Sequence, residues 1–427
     1  MNIDRRSFLK TAAFSALAPG FLEALAGVRA ETLKIRDIQI WKLDGKRPPS
    51  EGFVGWIQAN PSKIYDFNPP IAAKEPLPQP KVLESQSALY LKVITNDDIE
   101  GLYGPIDSEV ASVIHNQIKP RLIGCNPLRS ELIWDELYRS YRHSRAGLYM
   151  MAISAVDNVL WDIRGKFFDA PVYQLLGGPT RAEIPVYASC LGFSIDPEAA
   201  AHRSLLLAGQ GYTQQKWFFS FGPSQGAKGM EFNVQLAKSL RETLGTGIDI
   251  FFDAFMGWSL DYALAWVTAA EPWQPNWLEE AFQPTEINSF TELRRKSSIP
   301  VASGEHLYNR WEVMSYLEAD ALSIIQTDPE WCGGVSELVK ICTMASGFNA
   351  QVIPHGHSLH AALHVIASQS PDVCPMGEYL INKMDYYYMF EKLKPTPVNG
   401  KISLTTQPGF GIEFDDAAIL HQQQLFI

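Results

Sequence analysis

Apolar and polar residues alternate with a period of two in two segments near the start of the chain. These segments, Thr32–Trp41 and Ser87–Ile94, have the pattern of half-buried β-strands. Three segments with a helical spacing of apolar residues come next: Ser108–Ile118, Ser130–Arg142 and Leu148–Phe168. Strands followed by helices predict an α+β domain over residues 31–168.

After Pro185 the pattern changes to short apolar runs that alternate with amphipathic helices. The runs are Gln214–Phe219, Ile248–Asp253, Trp277–Glu280, Pro300–Ala302, Leu322–Gln326 and Ala350–Ile353. In the helix Glu231–Leu244, apolar residues recur every four positions and form one face that can pack on a sheet. Repeated strand and helix units of this kind predict a parallel sheet closed into an α/β barrel at residues 169–400. A C-terminal segment follows at 401–427.

A proline-rich stretch separates the first two strands. Residues 48–80 contain eight prolines together with Trp56, Lys63 and Tyr65. So long an insert is usually a lid or a linker, and its aromatic residues favour a lid. We therefore expect Trp56 and Lys63 to bind substrate, while a surface or oligomer contact is their alternative role.

The amino terminus has the pattern of an export signal. Arg5 and Arg6 precede Phe-Leu-Lys, and a short apolar run, broken by Pro19 and Glu23, ends in small residues near Ala30. Residues 1–30 resemble a twin-arginine signal, which predicts export to the periplasm. An ordinary amphipathic helix is the alternative. No other window offers the roughly 18 consecutive apolar residues that a membrane helix needs, so we expect no membrane contact after signal removal.

Composition narrows the class of protein. The chain of 427 residues is 46% apolar and has a net charge of −11, which speaks against a nucleic-acid surface. Its five cysteines are widely spaced and contain no C-x-x-C pair, so we expect unpaired thiols rather than a disulfide framework or a zinc knuckle. The expected partners are a small organic acid and further copies of the same chain.

Ionisable residues stand where the predicted barrel strands end. They are Lys216, Asp253, Glu279, Glu305, Asp328, His355 and Glu378. From Asp253 onward they are 23 to 27 residues apart, which is the length of one strand and helix unit. Because the carboxyl ends of barrel strands build the active site, these residues are the candidate catalytic group.

Charge balance suggests a metal ion. Asp253, Glu279 and Glu305 would repel each other strongly in one mouth, so a hard cation is expected among them. Three carboxylates suit Mg²⁺ better than zinc, which favours His and Cys. Glu280 is an alternative to Glu279, because adjacent strand residues face opposite ways.

A histidine and a carboxylate form the candidate base. Asp328 lies one unit before His355, so a hydrogen bond between them would fix the imidazole tautomer and raise its basicity. His306 stands beside Glu305 and is expected to reach the substrate. The later histidines, His357, His360 and His364, are interpreted as structural or substrate-facing.

Several motifs together resemble the enolase superfamily, in its mandelate racemase subgroup. They are AVDNVLWDIRGKFFDAPVYQLLGG at Ala155–Gly178, Asp253, WLEE at 277–280, GEH at 304–306, Asp328-x3-Cys332-Gly333-Gly334 and PHG at 354–356. The resemblance runs from Leu33 to the end. It implies a capping α+β domain completed by the C-terminal segment, a (β/α)7β barrel, and removal of a proton next to a carboxylate with Mg²⁺ as cofactor. It also implies Asp253, Glu279 and Glu305 as metal ligands, His355 and Asp328 as the dyad, and Glu378 as a hydrogen-bonding group at the substrate carboxylate.

Residues 216–223 and the GEH motif look more like the acid-sugar dehydratases, especially the rhamnonate dehydratase type. Two features depart from the family pattern. Many members have Lys-x-Lys where only Lys216 stands here, and residues 31–80 lack a lid histidine. The sequence therefore does not specify which sugar acid is the substrate.

The leading hypothesis is a dehydratase that converts an aldonate or aldarate to a 2-keto-3-deoxy acid. A racemase, epimerase or cycloisomerase is the alternative within the fold, and Lys216 could supply the opposite-face proton that racemisation needs. A non-catalytic sugar-acid binding protein is the alternative from another class, and the dyad argues against it.

Overall fold

The computed structural model describes residues 28–55, 57–65 and 82–427. The predicted export signal lies almost wholly outside these ranges, as do Trp56 and residues 66–80 of the predicted lid. The export signal therefore stays a prediction. Within the described ranges, no helix has both the length and the apolar character required to cross a bilayer.

An antiparallel sheet forms the first domain, with its strands in the order β13, β1, β2, β3. The bounds are β1 (Ile35–Arg47), β2 (Glu84–Thr95), β3 (Glu100–Ile106) and β13 (His421–Leu425). The C-terminal strand reaches this sheet by pairing Leu425 with Ile40. Because of this pairing, the end of the chain lies in the N-terminal domain.

The three predicted helices of this domain are confirmed within a few residues. The helices are α1 (Ser108–Val113), α2 (Lys119–Leu122), α3 (Ser130–Ser140), α4 (Gly147–Phe168) and α5 (Val172–Leu175). A π-helical turn at Ile114–Ile118 joins α1 to α2. Helix α4 packs closely on β3, where a Cβ at Gly101 would lie 2.5 Å from Ile163 Cγ1.

The second domain is a curved sheet of eight parallel strands in the order β11, β4, β5, β6, β7, β8, β9, β10. Its strands are β4 (Glu183–Ser189), β5 (Gln214–Phe218), β6 (Asp249–Asp253), β7 (Trp277–Glu279), β8 (Val301–Ser303), β9 (Ile324–Ile325), β10 (Gln351–Val352) and β11 (Gly377–Leu380), with β12 (Lys401–Ser403) antiparallel to β4. Its helices are α6 (Pro197–Gly209), α7 (Gly226–Leu244), α8 (Leu260–Ala270), α9 (Ile287–Lys296), α10 (Arg310–Glu318), α11 (Val335–Gly347), α12 (His360–Ser368) and α13 (Ile381–Tyr387). The predicted fold class, a (β/α)7β barrel with an α+β capping domain, is confirmed.

Two barrel strands are shorter than predicted by two residues or more. β9 and β10 pair over two residues each, where the sequence predicts Leu322–Gln326 and Ala350–Ile353. Pro354 has no amide hydrogen to extend the ladder, so the chain leaves the sheet there. That early exit begins the loop that carries His355.

Large apolar side chains fill the barrel beneath the site. Six buried residues form an interior cluster separate from the main core: Tyr187, Phe251, Trp277, Ala302, Ile324 and Ile353. The two rings of Phe251 and Trp277 are stacked. The ionisable side chains at the carboxyl ends of the strands thus lie above an apolar layer.

Helix α4 also supports the barrel loop that follows β9. Asp157 accepts hydrogen bonds from Ser336 N at 2.9 Å and Ser336 Oγ at 2.7 Å. Asn158 donates to Pro329 O at 3.2 Å and accepts from Val335 N at 3.0 Å. The capping domain therefore fixes the backbone on both sides of residues 330–334.

Asp162 in α4 joins three parts of the chain, and its removal is expected to weaken the fold. Its buried carboxylate accepts from Leu102 N at 2.8 Å and from Phe410 N at 2.9 Å. Asp162→Ala leaves two buried N–H groups without acceptors, so we expect urea denaturation to show a loss of about 3 kcal/mol in the free energy of unfolding. The exposed Asp135→Ala is the control, and equal stability of the two variants would contradict this role.

Candidate active site

The structure places the seven predicted strand-end residues at one end of the barrel. Lys216 and Glu378 lie within β5 and β11, and Asp253 and Glu279 end β6 and β7. The remaining three, Glu305, Asp328 and His355, lie in the loops directly after β8, β9 and β10. We call this end of the barrel the mouth.

Lys216 is enclosed by acids in the floor of the mouth. Its Nζ lies 2.6 Å from Glu279 Oε1, 2.9 Å from Glu378 Oε1 and 3.3 Å from Asp253 Oδ2. Burial disfavours the ammonium, but Glu279 and Glu378 outweigh it and hold the pKa of Lys216 well above its usual value. Lys216 is therefore a fixed positive charge shared by three carboxylates.

The two adjacent glutamates after β7 have different partners. Glu279 uses both oxygens, because Oε1 pairs with Lys216 and Oε2 accepts from Trp277 Nε1 at 3.0 Å. Glu280, with a φ of 43°, pairs through Oε1 with His306 Nδ1 at 2.9 Å. Its buried Oε2 has no hydrogen-bond partner in the described part of the chain.

Glu280, Glu305 and His306 lie close enough to share a metal ion, since one donor atom from each falls within 4.8 Å of the others. Burial raises the pKa of Asp253 to about 7, and the charges of Glu280 and Glu305 add to the rise. Burial likewise raises the pKa of Glu305 to about 7, against the effect of His355. Asp253, Glu280 and Glu305 thus bring several carboxylate oxygens close together, and one of them, Glu280 Oε2, has no hydrogen-bond partner in the described residues. Such a group of oxygen ligands fits a hard divalent cation.

His355 and Asp328 form the predicted pair. His355 Nδ1 lies 2.7 Å from Asp328 Oδ2, and its Nε2 lies 3.5 Å from Glu305 Oε2. Because the carboxylate takes the Nδ1 hydrogen, Nε2 is the nitrogen left to face the mouth. Burial opposes protonation, but Glu305 and Asp328 raise the pKa of His355 to about 10.

Glu378 is held against the histidine loop. Its Oε2 accepts from Gly356 N at 2.9 Å, and a Cβ at Gly356 would lie 2.8 Å from Glu378 Cγ and from Glu378 O. Glycine at 356 therefore permits this close approach. Although burial opposes it, Lys216 and His355 hold the pKa of Glu378 at about 2.

Part of the predicted lid lies on the barrel loops after β5. Ala59 N donates to Phe219 O at 2.6 Å, and Ser220 Oγ donates to Ile57 O at 2.5 Å. Lys63 lies in the 3-10 turn Pro61–Ile64, and its carbonyl accepts from Ser224 Oγ at 3.2 Å. This part of the lid thus reaches the rim of the mouth, while the role of Lys63 stays a prediction and Trp56 lies outside the described residues.

The later histidines divide into two groups. His360 pairs with Glu391 at 2.8 Å, and His364 Nδ1 accepts from Tyr173 N at 3.1 Å, so both are structural. His357 instead lies beside the mouth, where its ring centroid is 5.1 Å from that of Trp331. Sequence reasoning missed Trp331 and Lys383, although each follows a candidate acid by three to five residues.

Removing the Lys216 charge is expected to destabilise the protein. Lys216→Met leaves Asp253, Glu279 and Glu378 without their shared cation, and breaking a buried ionic group typically costs about 3 kcal/mol or more. Urea denaturation without added metal measures this loss, with the exposed Lys401→Met as control. If the two variants unfold at the same urea concentration, the Lys216 charge does not stabilise the fold by compensating these acids.

Comparisons with known proteins agree with this architecture. Residues 80–177 match the mandelate racemase / muconate lactonizing enzyme N-terminal domain, and residues 198–418 match the enolase C-terminal domain-like family. The chain is 33% identical over 314 residues to an L-rhamnonate dehydratase of Saccharopolyspora erythraea, covering 71% of this chain and 77% of that protein.

Two solved structures resemble the whole molecule. Rhamnonate dehydratase from Gibberella zeae complexed with Mg has a TM-score of 0.75 and 25% identity, covering 90% of this chain and 95% of that one. The 3,6-anhydro-D-galactonate cycloisomerase from Zobellia galactanivorans has a TM-score of 0.71 and 25% identity, covering 90% of this chain and 97% of that one. The chain therefore belongs to the enolase superfamily, in its mandelate racemase subgroup.

Proposed function

We propose that the protein is a Mg²⁺-dependent dehydratase of a sugar acid. The observation that carries this proposal is the His355–Asp328 pair, whose Nε2 faces a group of acids fit for a cation and lies 3.5 Å from Glu305 Oε2. The resemblance to L-rhamnonate dehydratase at 33% identity supports the same reaction class. The product would be a 2-keto-3-deoxy acid.

Asp253, Glu279 and Glu305 would hold the metal. Asp253 and Glu279 are register partners, and their carboxylates already converge on one cation, the Lys216 ammonium. Glu305 lies beside them at the end of the next strand. In this assignment Glu280 orients His306, which would face the substrate. Bound Mg²⁺ supplies electrostatic stabilisation of the negative charge that develops on the substrate carboxylate.

His355 would act as both base and acid. A cation bound beside Glu305 would offset the charge that raises the pKa of His355 and so favour its neutral form. Neutral His355 would then take the proton from C2 through Nε2, while Asp328 stabilises the imidazolium that forms. The same nitrogen then gives its proton to the hydroxyl leaving C3, so that water departs and an enol is left. The enol takes a solvent proton at C3 and becomes the 2-keto-3-deoxy acid. Lys216 and Glu378 would position the substrate carboxylate from the floor of the mouth.

Lys216 is poorly placed for the racemase or epimerase alternative. Such a reaction needs a second group that exchanges a proton on the opposite face of C2. The Lys216 ammonium is buried, and three carboxylates surround it. Dehydration by one histidine needs no such group. A cycloisomerase remains the second candidate because a solved enzyme of that class shares the fold at 25% identity.

Three further assignments belong to this proposal. Trp56 and Lys63 of the lid would bind the distal part of the substrate. The protein would be exported to the periplasm, because residues 1–30 resemble a twin-arginine signal. It would form a homo-oligomer.

A screen of sugar acids tests the reaction. Purified protein with Mg²⁺ is incubated with a library of aldonic and aldaric acids, and 2-keto acids are measured. We expect at least one acid to be dehydrated, and His355→Asn to lose activity by a factor of about 10² to 10⁴, the usual contribution of a general base. His202→Asn, on the outer helix α6, is the control. If the wild type forms no 2-keto acid from any member of the library, the proposed function is contradicted.

Glutamine variants test the metal assignment. Glu279→Gln removes one of three negative ligands, so activity should be lost at ordinary Mg²⁺ and partly return with excess metal. Glu280→Gln is the matched control because it leaves the three proposed ligands, Asp253, Glu279 and Glu305, unchanged. If Glu280→Gln instead shows the metal-dependent loss and Glu279→Gln stays active, the third ligand is Glu280.

A further inference from the structure

Trp331 lies at the centre of a group of rings next to the catalytic pair. Its ring centroid is 5.0 Å from that of His355, 5.1 Å from His357 and 5.7 Å from His306. The Nε1 of Trp331 is buried and donates to no acceptor that the described ranges contain. This side of the mouth therefore offers an N–H group that has no protein partner.

Lys383 brings a positive charge to the same side. Its Nζ lies 3.0 Å from His357 Nδ1, donates to His357 O at 2.6 Å, and is 4.2 Å from the Tyr387 ring centroid. Within residues 28–55, 57–65 and 82–427, no carboxylate forms an ion pair with it. An ammonium has three hydrogens, and His357 takes two of them. Lys383 is half-buried, and one of its ammonium hydrogens is left for a further acceptor.

His357 completes a surface of hydrogen-bond donors. Burial, together with the charges of Lys383 and His355, holds the pKa of His357 well below its usual value, so the ring is neutral. Because Nδ1 accepts from Lys383, its hydrogen lies on Nε2. That atom is 3.4 Å from Tyr387 Oη and 3.9 Å from Asp107 Oδ2, so it makes only long contacts.

Four acids lie near Lys383: Glu378 is paired with Lys216, and Asp107 is a partly exposed acid whose Oδ2 is 3.9 Å from His357 Nε2. Asp328 is paired with His355, and Glu330 accepts from the Tyr103 hydroxyl. Burial lowers the pKa of Lys383 to about 8, while Asp328 and other nearby acids oppose the fall. Lys383 therefore stays mainly charged at neutral pH.

Helix α13, which carries Lys383, also contacts the base of the lid. Ser50 Oγ donates to Asn382 O at 3.4 Å, and the Arg47 guanidinium lies 4.1 Å from the Tyr386 ring centroid. A sugar acid with its C2 at His355 must place its remaining carbons between the barrel and the lid. Lys383 lies at this boundary.

We infer that Lys383, with the N–H groups of His357 and Trp331, binds a carboxylate at the far end of the substrate, which makes the substrate a sugar diacid. This inference rests on the proposed dehydratase function and names its substrate class. A 6-deoxy acid such as L-rhamnonate ends in a methyl group, which would leave the ammonium without an acceptor. The far carboxylate instead supplies oxygens for all three donors.

Kinetics on matched acids tests this inference. Wild type, Lys383→Met and Lys383→Arg are compared on aldaric acids, on aldonic acids of the same stereochemistry, and on 6-deoxy aldonic acids. We expect the wild type to favour diacids in kcat/KM. Lys383→Met should lower kcat/KM for diacids about 100-fold and change monoacids by less than about threefold. Lys383→Arg should keep part of the preference, and the exposed Lys394→Met should match the wild type.

The outcomes separate this inference from the function on which it rests. Equal losses on diacids and monoacids would mean that Lys383 only supports the His357 loop, and the subsite would be rejected. A wild type that prefers 6-deoxy acids would reject it without any variant, even if Lys383→Met does not fold. If the wild type dehydrates no sugar acid at all, the proposed function fails and the subsite fails with it.

Discussion

Repulsion among buried carboxylates is the constraint on which the site depends. Six buried acids lie at the mouth of the barrel: Asp253, Glu279, Glu280, Glu305, Asp328 and Glu378. Two like charges about 4 Å apart repel by about 4 kcal/mol near a protein surface, and by more in the interior. Lys216 compensates three of these acids. Burial raises the pKa of Asp253 and of Glu305, and the charge of Glu280 adds to both rises.

The same electrostatic balance explains the division of the mouth. The carboxylates lie at and just after the ends of β6 to β8, while hydrogen-bond donors gather around Trp331 and Lys383. The capping domain stabilises this second side, because helix α4 holds the loop around residues 330–334 through Asp157 and Asn158. The capping domain thus supports the loop that carries Trp331, next to the His355–Asp328 pair.

Much of the fold follows from the sequence, because hydrophobic periodicity specifies long helices well. Leu148–Phe168 was predicted within one residue of α4. Strands β3 and β4 had no such signal: Pro105 stands in β3 and Pro185 in β4, and proline normally argues against a strand. Their pairing is decided by neighbouring strands that are distant in sequence.

The candidate site could be predicted in part for a similar reason. Strand ends in a barrel converge, so regular spacing was enough to bring His355 and Asp328 together, and the structure shows their hydrogen bond at 2.7 Å. Spacing could not show that Lys216 is enclosed by three acids, nor which oxygens of Glu279 and Glu280 are in use. Those features depend on side-chain direction. Lys383 was missed because it follows the last barrel strand, β11. It lies in helix α13, which only tertiary packing brings to the mouth.

The central claim is that one histidine removes the C2 proton and the C3 hydroxyl leaves, without proton exchange from the opposite face. Turnover of an active sugar acid in D2O, followed by NMR, measures this directly. The account predicts a 2-keto-3-deoxy acid with one solvent deuteron at C3, and recovered substrate of unchanged C2 configuration. Formation of the C2 epimer with deuterium at C2, and no keto acid, would contradict it.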